Sequence, residues 1–256
     1  MKAVILAGGY GTRISEETTD KPKPMIEVGG FPLLWHIMKN FSVFGVNEFV
    51  IAAGYRSDVI KNYFIRYRYL NNDLKIDLRD NKIITSENNH DQWVIHVIDT
   101  GDDVQTGARL AKLRSLLKGE TFFMTYGDGL CDVDLGELVA FHKSKQATAT
   151  VTAVRPPARF GSLEIKDDRV VVFAEKNQLR EGWINGGFFV LESEIFNDLT
   201  EANTCAFEGY PLEQLASRGQ LAAFKHEGFW QCMDTLRDLS FLRGLWDEGE
   251  PSWKLW

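Results

Sequence analysis

Cysteine, basic charge and long apolar runs are all scarce in this sequence. Its three cysteines, Cys131, Cys205 and Cys232, form no CxxC pair and leave an odd one over. That excludes a disulfide framework and a zinc knuckle and agrees with a reducing, cytoplasmic setting. Lys and Arg number 29 against 36 Asp and Glu, a formal net charge of −7. Nucleic acid is held by dense basic patches, so no nucleic-acid partner is expected, and any anionic ligand must be met locally. No apolar run approaches the roughly eighteen residues of a membrane span, and no small-residue cleavage site follows Lys2. No membrane partner is expected. Repeats and low-complexity linkers are missing too, so residues 1–256 are read as a single domain, long enough to bury a full core.

What is present starts at once. Ala3-Val4-Ile5-Leu6 reads as a short buried strand that breaks at Gly8-Gly9 into a glycine loop, Leu6-Ala7-Gly8-Gly9-Tyr10-Gly11-Thr12-Arg13. Without Cβ atoms such a loop can turn several N–H groups toward one anion, and Arg13 and Lys23 bring fixed positive charge beside it. A triphosphate cradle is the expectation. A Walker loop is excluded because no Gly-Lys-Ser/Thr follows. A dinucleotide fingerprint fits poorly, since no helix-forming run follows Gly11 and the second strand ends in Ala52-Ala53-Gly54, with no acid for a ribose. A plain tight turn explains the glycines but not Arg13, Lys21 and Lys23.

Downstream, Leu33, Leu34, Ile37, Met38 and Phe41 recur at helical spacing and Gly45 closes the segment. Phe49 to Ala53 is a second buried strand, and Ser57 is the expected N-cap of a helix carrying Ile60 and Phe64. This βαβα rhythm predicts an α/β protein with a mostly parallel sheet. The rhythm stops over residues 71–92, read as an excursion folded into a loose hairpin. Val94 to Ile98 and Phe122 to Tyr126 continue the sheet, with one helix between them from Ala108 to Leu117. After a helix near Leu138, strands follow: Ala147 to Val154, a hairpin meander over Leu163 to Ala174, and Ile184 to Leu191. The chain closes with a helix near Pro211, an extended Leu221 to Phe224, and a helix from Thr235 to Trp246.

Ligands of open α/β sheets sit beyond the carboxyl ends of the strands, and Asp128 and Asp234 fall at two such ends. Two carboxylates plus phosphate oxygens and waters suit Mg²⁺. Taken singly, Asp128 also reads as the start of a Gly-Asp-Gly turn and Asp234 as part of a helix cap through Thr235. Glu175-Lys176 and Asn185-Gly186-Gly187 suit a sugar phosphate, but a Glu-Lys pair also reads as a solvated face and Asn-Gly-Gly as a turn. The five histidines show no nucleophile or metal spacing.

Together the glycine loop, Lys21-Pro22-Lys23-Pro24-Met25, Asp99-Thr100-Gly101-Asp102, Thr125-Tyr126-Gly127-Asp128-Gly129, Arg159-Phe160-Gly161, Glu-Lys, Asn-Gly-Gly and Gly228-Phe229-Trp230 to Asp238 resemble the sugar-1-phosphate nucleotidyltransferases. The match runs along nearly the whole chain and is nearest to the cytidylyl-transferring branch. The resemblance implies a Rossmann-like, nucleotide-diphospho-sugar transferase-like fold with flanking helices, with CTP and glucose 1-phosphate as substrates, a role in deoxysugar and surface polysaccharide biosynthesis, and a homo-oligomer. It also implies site residues. Leu6, Ala7, Gly8, Gly9, Tyr10, Gly11, Thr12 and Arg13 would cradle CTP, Lys23 would meet its phosphates, and Val104, Thr106, Gly107 and Arg109 would close around it. Asp128 and Asp234 would bind Mg²⁺, and Glu175, Lys176 and Asn185 would hold the sugar phosphate. Tyr10, Ile14 and Asn177 depart from the residues usual in that family. Another nucleotide or acceptor, and a sugar-nucleotide sensor without turnover, stay open. Subunit contacts are expected from the excursion or from the aromatic tail Trp253 to Trp256, unless either packs on its own domain.

Overall fold

The computed structural model describes residues 1–85, 91–156, 162–166, 169–174 and 182–256. An eight-stranded sheet forms its centre. The Ala3–Ala7 strand is fully buried and lies between Glu48–Ala53 and Phe122–Tyr126, parallel to both. Val94–Asp99 extends the parallel part past Glu48–Ala53. The three inner strands are largely apolar because both faces of the sheet are covered there, whereas Val94–Asp99 at the edge is only partly buried and carries His96 and Asp99. One face packs against the Leu33–Val43 helix, where Phe41 stacks on Phe188 with ring centroids 6.0 Å apart. The other face packs against the Thr106–Ala111 helix and the Phe189, Phe196 and Phe207 side chains.

Beyond Phe122–Tyr126 the direction reverses, since Phe189–Leu191 pairs with it antiparallel. The segment read as one strand from Ile184 to Leu191 is interrupted: Ile184–Asn185 and Phe189–Leu191 both pair with Ala149–Val154, separated by a bend at Gly186 to Phe188. Gly187 has φ +76° and Phe188 φ +48°, left-handed conformations that no regular strand accommodates. Leu221–His226 lies parallel to Ala149–Val154.

Other expectations hold with adjustments. The 71–92 excursion contains the antiparallel hairpin Leu74–Asp77 with Lys82–Thr85, and Ser162–Lys166 pairs with Arg169–Ala174 in the expected meander. Ser57 is not an N-cap: Arg56 holds that position with φ 52°, and the Ser57 hydroxyl donates instead to Asp99 at 3.0 Å. The helix expected from Ala108 to Leu117 breaks into Thr106–Ala111 and Arg114–Leu117, with the fully buried Leu113 between them at φ −93° and ψ 1°. Among the described residues no helix is long and apolar enough to cross a membrane.

The aromatic tail packs on its own domain. Trp253 is fully buried, 5.7 Å from the Phe229 ring, and its indole N–H donates to His36 Nδ1 at 3.3 Å. His36 Nε2–H then donates to the Val28 carbonyl at 2.9 Å, so the ring serves as a neutral bridge between the tail and the Glu27–Val28 strand. Burial, with a smaller push from Lys254, lowers the His36 imidazole from 6.5 to about 4. Between these values the unfolded chain binds a proton that the folded chain refuses, so stability falls as pH drops through that window. Unfolding free energy measured in urea is expected to fall by about 2 kcal/mol from pH 7 to pH 5 on account of this one group, and His36→Asn is expected to flatten that slope.

Candidate active site

The loops at the carboxyl ends of Ala3–Ala7, Val94–Asp99 and Phe122–Tyr126 face one another. They enclose a cavity of about 280 Å³ lined by Leu6, Ala7, Gly8, Gly9, Gly11, Thr12, Arg13, Lys23, Val104, Thr106, Arg109, Tyr126 and Asp128 among others. Glycine is required at several points of close approach. A Cβ at Gly8 would collide with the Arg109 guanidinium, and one at Gly54 would lie 2.6 Å from the Gly101 carbonyl oxygen. Gly11 has φ +64°, which lets the chain turn into the short Thr12–Ile14 helix that carries Arg13. Tyr10 stays outside the cavity wall, 42 % exposed, and donates its hydroxyl to Asp103 at 2.7 Å. Gly107 is buried on the far side of its helix, where a Cβ would lie 2.9 Å from the Cys205 carbonyl oxygen.

Arg109 holds these loops together. Its guanidinium donates to the carbonyl oxygens of Gly8 (2.8 Å), Ala53 (3.3 Å), Gly101 (2.6 Å) and Asp102 (2.9 Å) and to the Thr100 hydroxyl (2.7 Å). No carboxylate is among these acceptors. The side chain therefore works through a fork of N–H donors satisfied by backbone oxygens, and burial moves its proton affinity down from the ordinary arginine value. Expected to close around a nucleotide, Arg109 is placed by the structure as the pin between the glycine loop and the 100–105 segment.

A second cavity of about 1100 Å³ adjoins the first. Arg13, Tyr126 and Asp128 line both, and Asn185, Glu208, Trp230, Asp234 and Arg237 line the larger one. At the junction Lys23 Nζ lies 2.7 Å from Asp128 Oδ2 and 2.6 Å from Asp234 Oδ1, while Arg13 Nη1 lies 2.6 Å from Asp234 Oδ2. Burial alone would lower the Lys23 ammonium and raise the Asp234 carboxyl. The opposed charges outweigh it, so Lys23 is raised and Asp234 lowered, and both stay ionised.

Asp234 reaches Asp128 by an unexpected route. It follows the Trp230–Cys232 strand, which belongs to a separate two-stranded sheet with Gly129–Cys131 and not to the central sheet. That pairing, and the Met233 N–H donating to the Asp128 carbonyl at 2.8 Å, lay the two aspartates side by side. Helix capping falls to Thr235 and Asp238, which form a complete capping box, so the Asp234 carboxylate is left for the site. The carboxylates of Asp128 and Asp234 and the Cys232 thiol lie within 4.8 Å of one another, a set containing two hard oxygen donors. Burial pushes the Cys232 thiol up, with the Asp128 charge adding to it, so the sulfur stays protonated beside them.

Glu175 and Lys176 lie outside the described residues, as does Arg159-Phe160-Gly161. Asn185 faces the larger cavity, its amide N–H donating to the Tyr126 hydroxyl at 3.2 Å. Tyr126, Glu208, Trp230 and Arg237 were not read as site residues from the sequence. Tyr126 carried a usable signal, standing at the end of a central strand two residues before Asp128. Histidine spacing gave no sign of the cluster of Cys131, Asp132 and His226, in which His226 Nε2 meets Asp132 at 2.8 Å.

Fold and site together define an α/β protein with two adjoining cavities that meet at a cluster of fixed charges beyond the strand ends. Residues 2–240 match the family model described as nucleotidyl transferase, and the chain belongs to that family. Over 257 residues, covering all of both chains, it is 47 % identical to the glucose-1-phosphate cytidylyltransferase of Salmonella typhimurium. It is 32 % identical to the mannose-1-phosphate guanylyltransferase catalytic subunit beta of Dictyostelium discoideum, over 96 % of this chain and 64 % of that protein. Among solved structures, UDP-glucose pyrophosphorylase from Acinetobacter baumanii superposes with a TM-score of 0.71 at 15 % identity, covering 98 % of this chain and 95 % of that one. The fold is thus that of the nucleotide-diphospho-sugar transferases.

The pinning role of Arg109 has a measurable consequence. A lysine ammonium carries three N–H donors and cannot serve five acceptors, so Arg109→Lys leaves buried carbonyls unpaired. A loss of about 2 kcal/mol in urea unfolding is expected, together with weaker nucleoside triphosphate binding by calorimetry.

Proposed function

We propose that this chain transfers a cytidylyl group from CTP to glucose 1-phosphate, giving CDP-glucose and pyrophosphate. The observation that carries this assignment is the meeting of the two cavities at Lys23, Asp128, Asp234 and Arg13. The relative with that activity in its name is matched from end to end. The smaller cavity, floored by the glycine loop, receives the triphosphate, and the larger one receives the sugar phosphate. An acceptor phosphate oxygen, already anionic at neutral pH, attacks the α-phosphorus, and the bond from that phosphorus to the pyrophosphate oxygen breaks. No general base is needed. Catalysis rests on holding two anions in line and offsetting their repulsion.

Lys23 and Arg13 are the cations that face this junction. As a pair they would offset the negative charge that accumulates around the α-phosphate. Asp128 and Asp234 would hold Mg²⁺, to which their oxygen donors are suited, and the ion would supply further charge neutralisation. Asp128 and Asp234 also keep Lys23 pointed at the junction. Exposed Leu74, Ile76, Leu78, Ile83 and Ile84 on the excursion hairpin support association of copies of the chain, which light scattering reads directly.

The assay is pyrophosphate release with glucose 1-phosphate and each of the common nucleoside triphosphates. CTP is expected to be turned over fastest, and absence of release with every nucleotide contradicts the assignment. Lys23→Ala is expected to lower kcat about a hundredfold or more while leaving the fold intact by circular dichroism. A variant that turned over like the parent would count against the role of Lys23.

A further inference from the structure

Glu208 lines the larger cavity beside Thr106 and Tyr126, which line the smaller one, and both of its oxygens are engaged. Oε2 accepts from the Thr106 hydroxyl at 2.6 Å and Oε1 from the Tyr126 hydroxyl at 2.6 Å. The proton directions follow from what else these hydroxyls touch. Thr106 Oγ1 also takes the Phe207 N–H at 2.9 Å, and the Tyr126 oxygen takes the Asn185 amide N–H at 3.2 Å. Each hydroxyl therefore spends its single proton on Glu208, and the carboxylate is held in one orientation from two sides. A carboxylate offers about four acceptor positions, so about two are left, on a residue that lines the larger cavity and is open to it.

Its charge adds direction. The cations Lys23 and Arg13 stand at the junction of the cavities, whereas Glu208 presents a negative, acceptor-only group beside Tyr126. A sugar phosphate entering the larger cavity is repelled at its phosphate by Glu208 and drawn by its hydroxyls, which can donate to it. From this geometry, and resting on the reaction assigned above, we propose that Glu208 reads one ring hydroxyl of the acceptor sugar and so turns the phosphate toward the junction. It is a specificity residue for the acceptor, locked in place by Thr106 and Tyr126.

The test is kcat/KM for glucose 1-phosphate and its 2-, 3-, 4- and 6-deoxy analogues with the parent and with Glu208→Ala. For the parent, one deoxy position is expected to cost about 10- to 100-fold, the range for losing a hydroxyl bound by a charged group. In Glu208→Ala that positional penalty is expected to disappear while the penalties at the other positions remain, a pattern that a merely structural role would not produce. Glu208→Gln keeps the shape, and its weaker neutral acceptor is expected to shrink the same penalty; it replaces the alanine variant if that one fails to fold. Identical penalties at every position in parent and variant overturn the proposal. Failure of the parent itself to turn over glucose 1-phosphate would instead overturn the reaction assigned above.

Discussion

The ammonium of Lys23, held between Asp128 and Asp234, is the interaction on which the site depends. Two carboxylates this close repel each other, and a half-buried position raises the cost of keeping both charged. Lys23, 8 % exposed, removes that repulsion, and Arg13 reinforces it from the solvent side of Asp234. Four charged groups from the glycine loop, the Lys-Pro-Lys-Pro segment, the end of a central strand and the start of the last helix are thereby brought to one point. That point is where the two cavities open into each other.

Around the cluster the backbone is arranged by uncharged contacts. Arg109 gathers carbonyl oxygens from the loops that follow three different strands, and the absence of a Cβ at Gly8 and Gly54 makes room for it. The short pairing of Gly129–Cys131 with Trp230–Cys232 carries the last helix across to the site. Tyr126, Glu208 and Thr106 then couple the wall of the smaller cavity to that of the larger one. Charge placement and loop placement are separate tasks here, and different residues perform them.

Much of this was legible in the residues. Fully buried strands announce themselves as short apolar runs, so Ala3–Ala7, Glu48–Ala53 and Phe122–Tyr126 were readable, and with them the parallel centre. The loop from Leu6 to Arg13 was readable because glycines beside fixed cations have few other uses. The neighbourhood of Asp128 and Asp234 was inferred from strand ends, although the strand before Asp234 proved to belong to the small sheet. Arg109 lines the smaller cavity as read, but an arginine in an Ala-Arg-Leu helix gives no hint that its partners include carbonyls from distant loops. Glu208 gave no signal at all, since it stands in a turn and its partners lie 82 and 102 residues away in sequence. The break at Gly186 to Phe188 was hidden by the apolar run that continues through it.

In the proposed reaction the acceptor attacks the α-phosphorus directly, at the cluster of fixed charges where the two cavities meet. The most direct measurement is the stereochemical course with an α-thio-substituted CTP of known configuration. A single in-line displacement predicts a CDP-glucose analogue with inverted configuration at phosphorus. Retention would mean that the cytidylyl group passes through a covalent enzyme intermediate, and would contradict this account of the site.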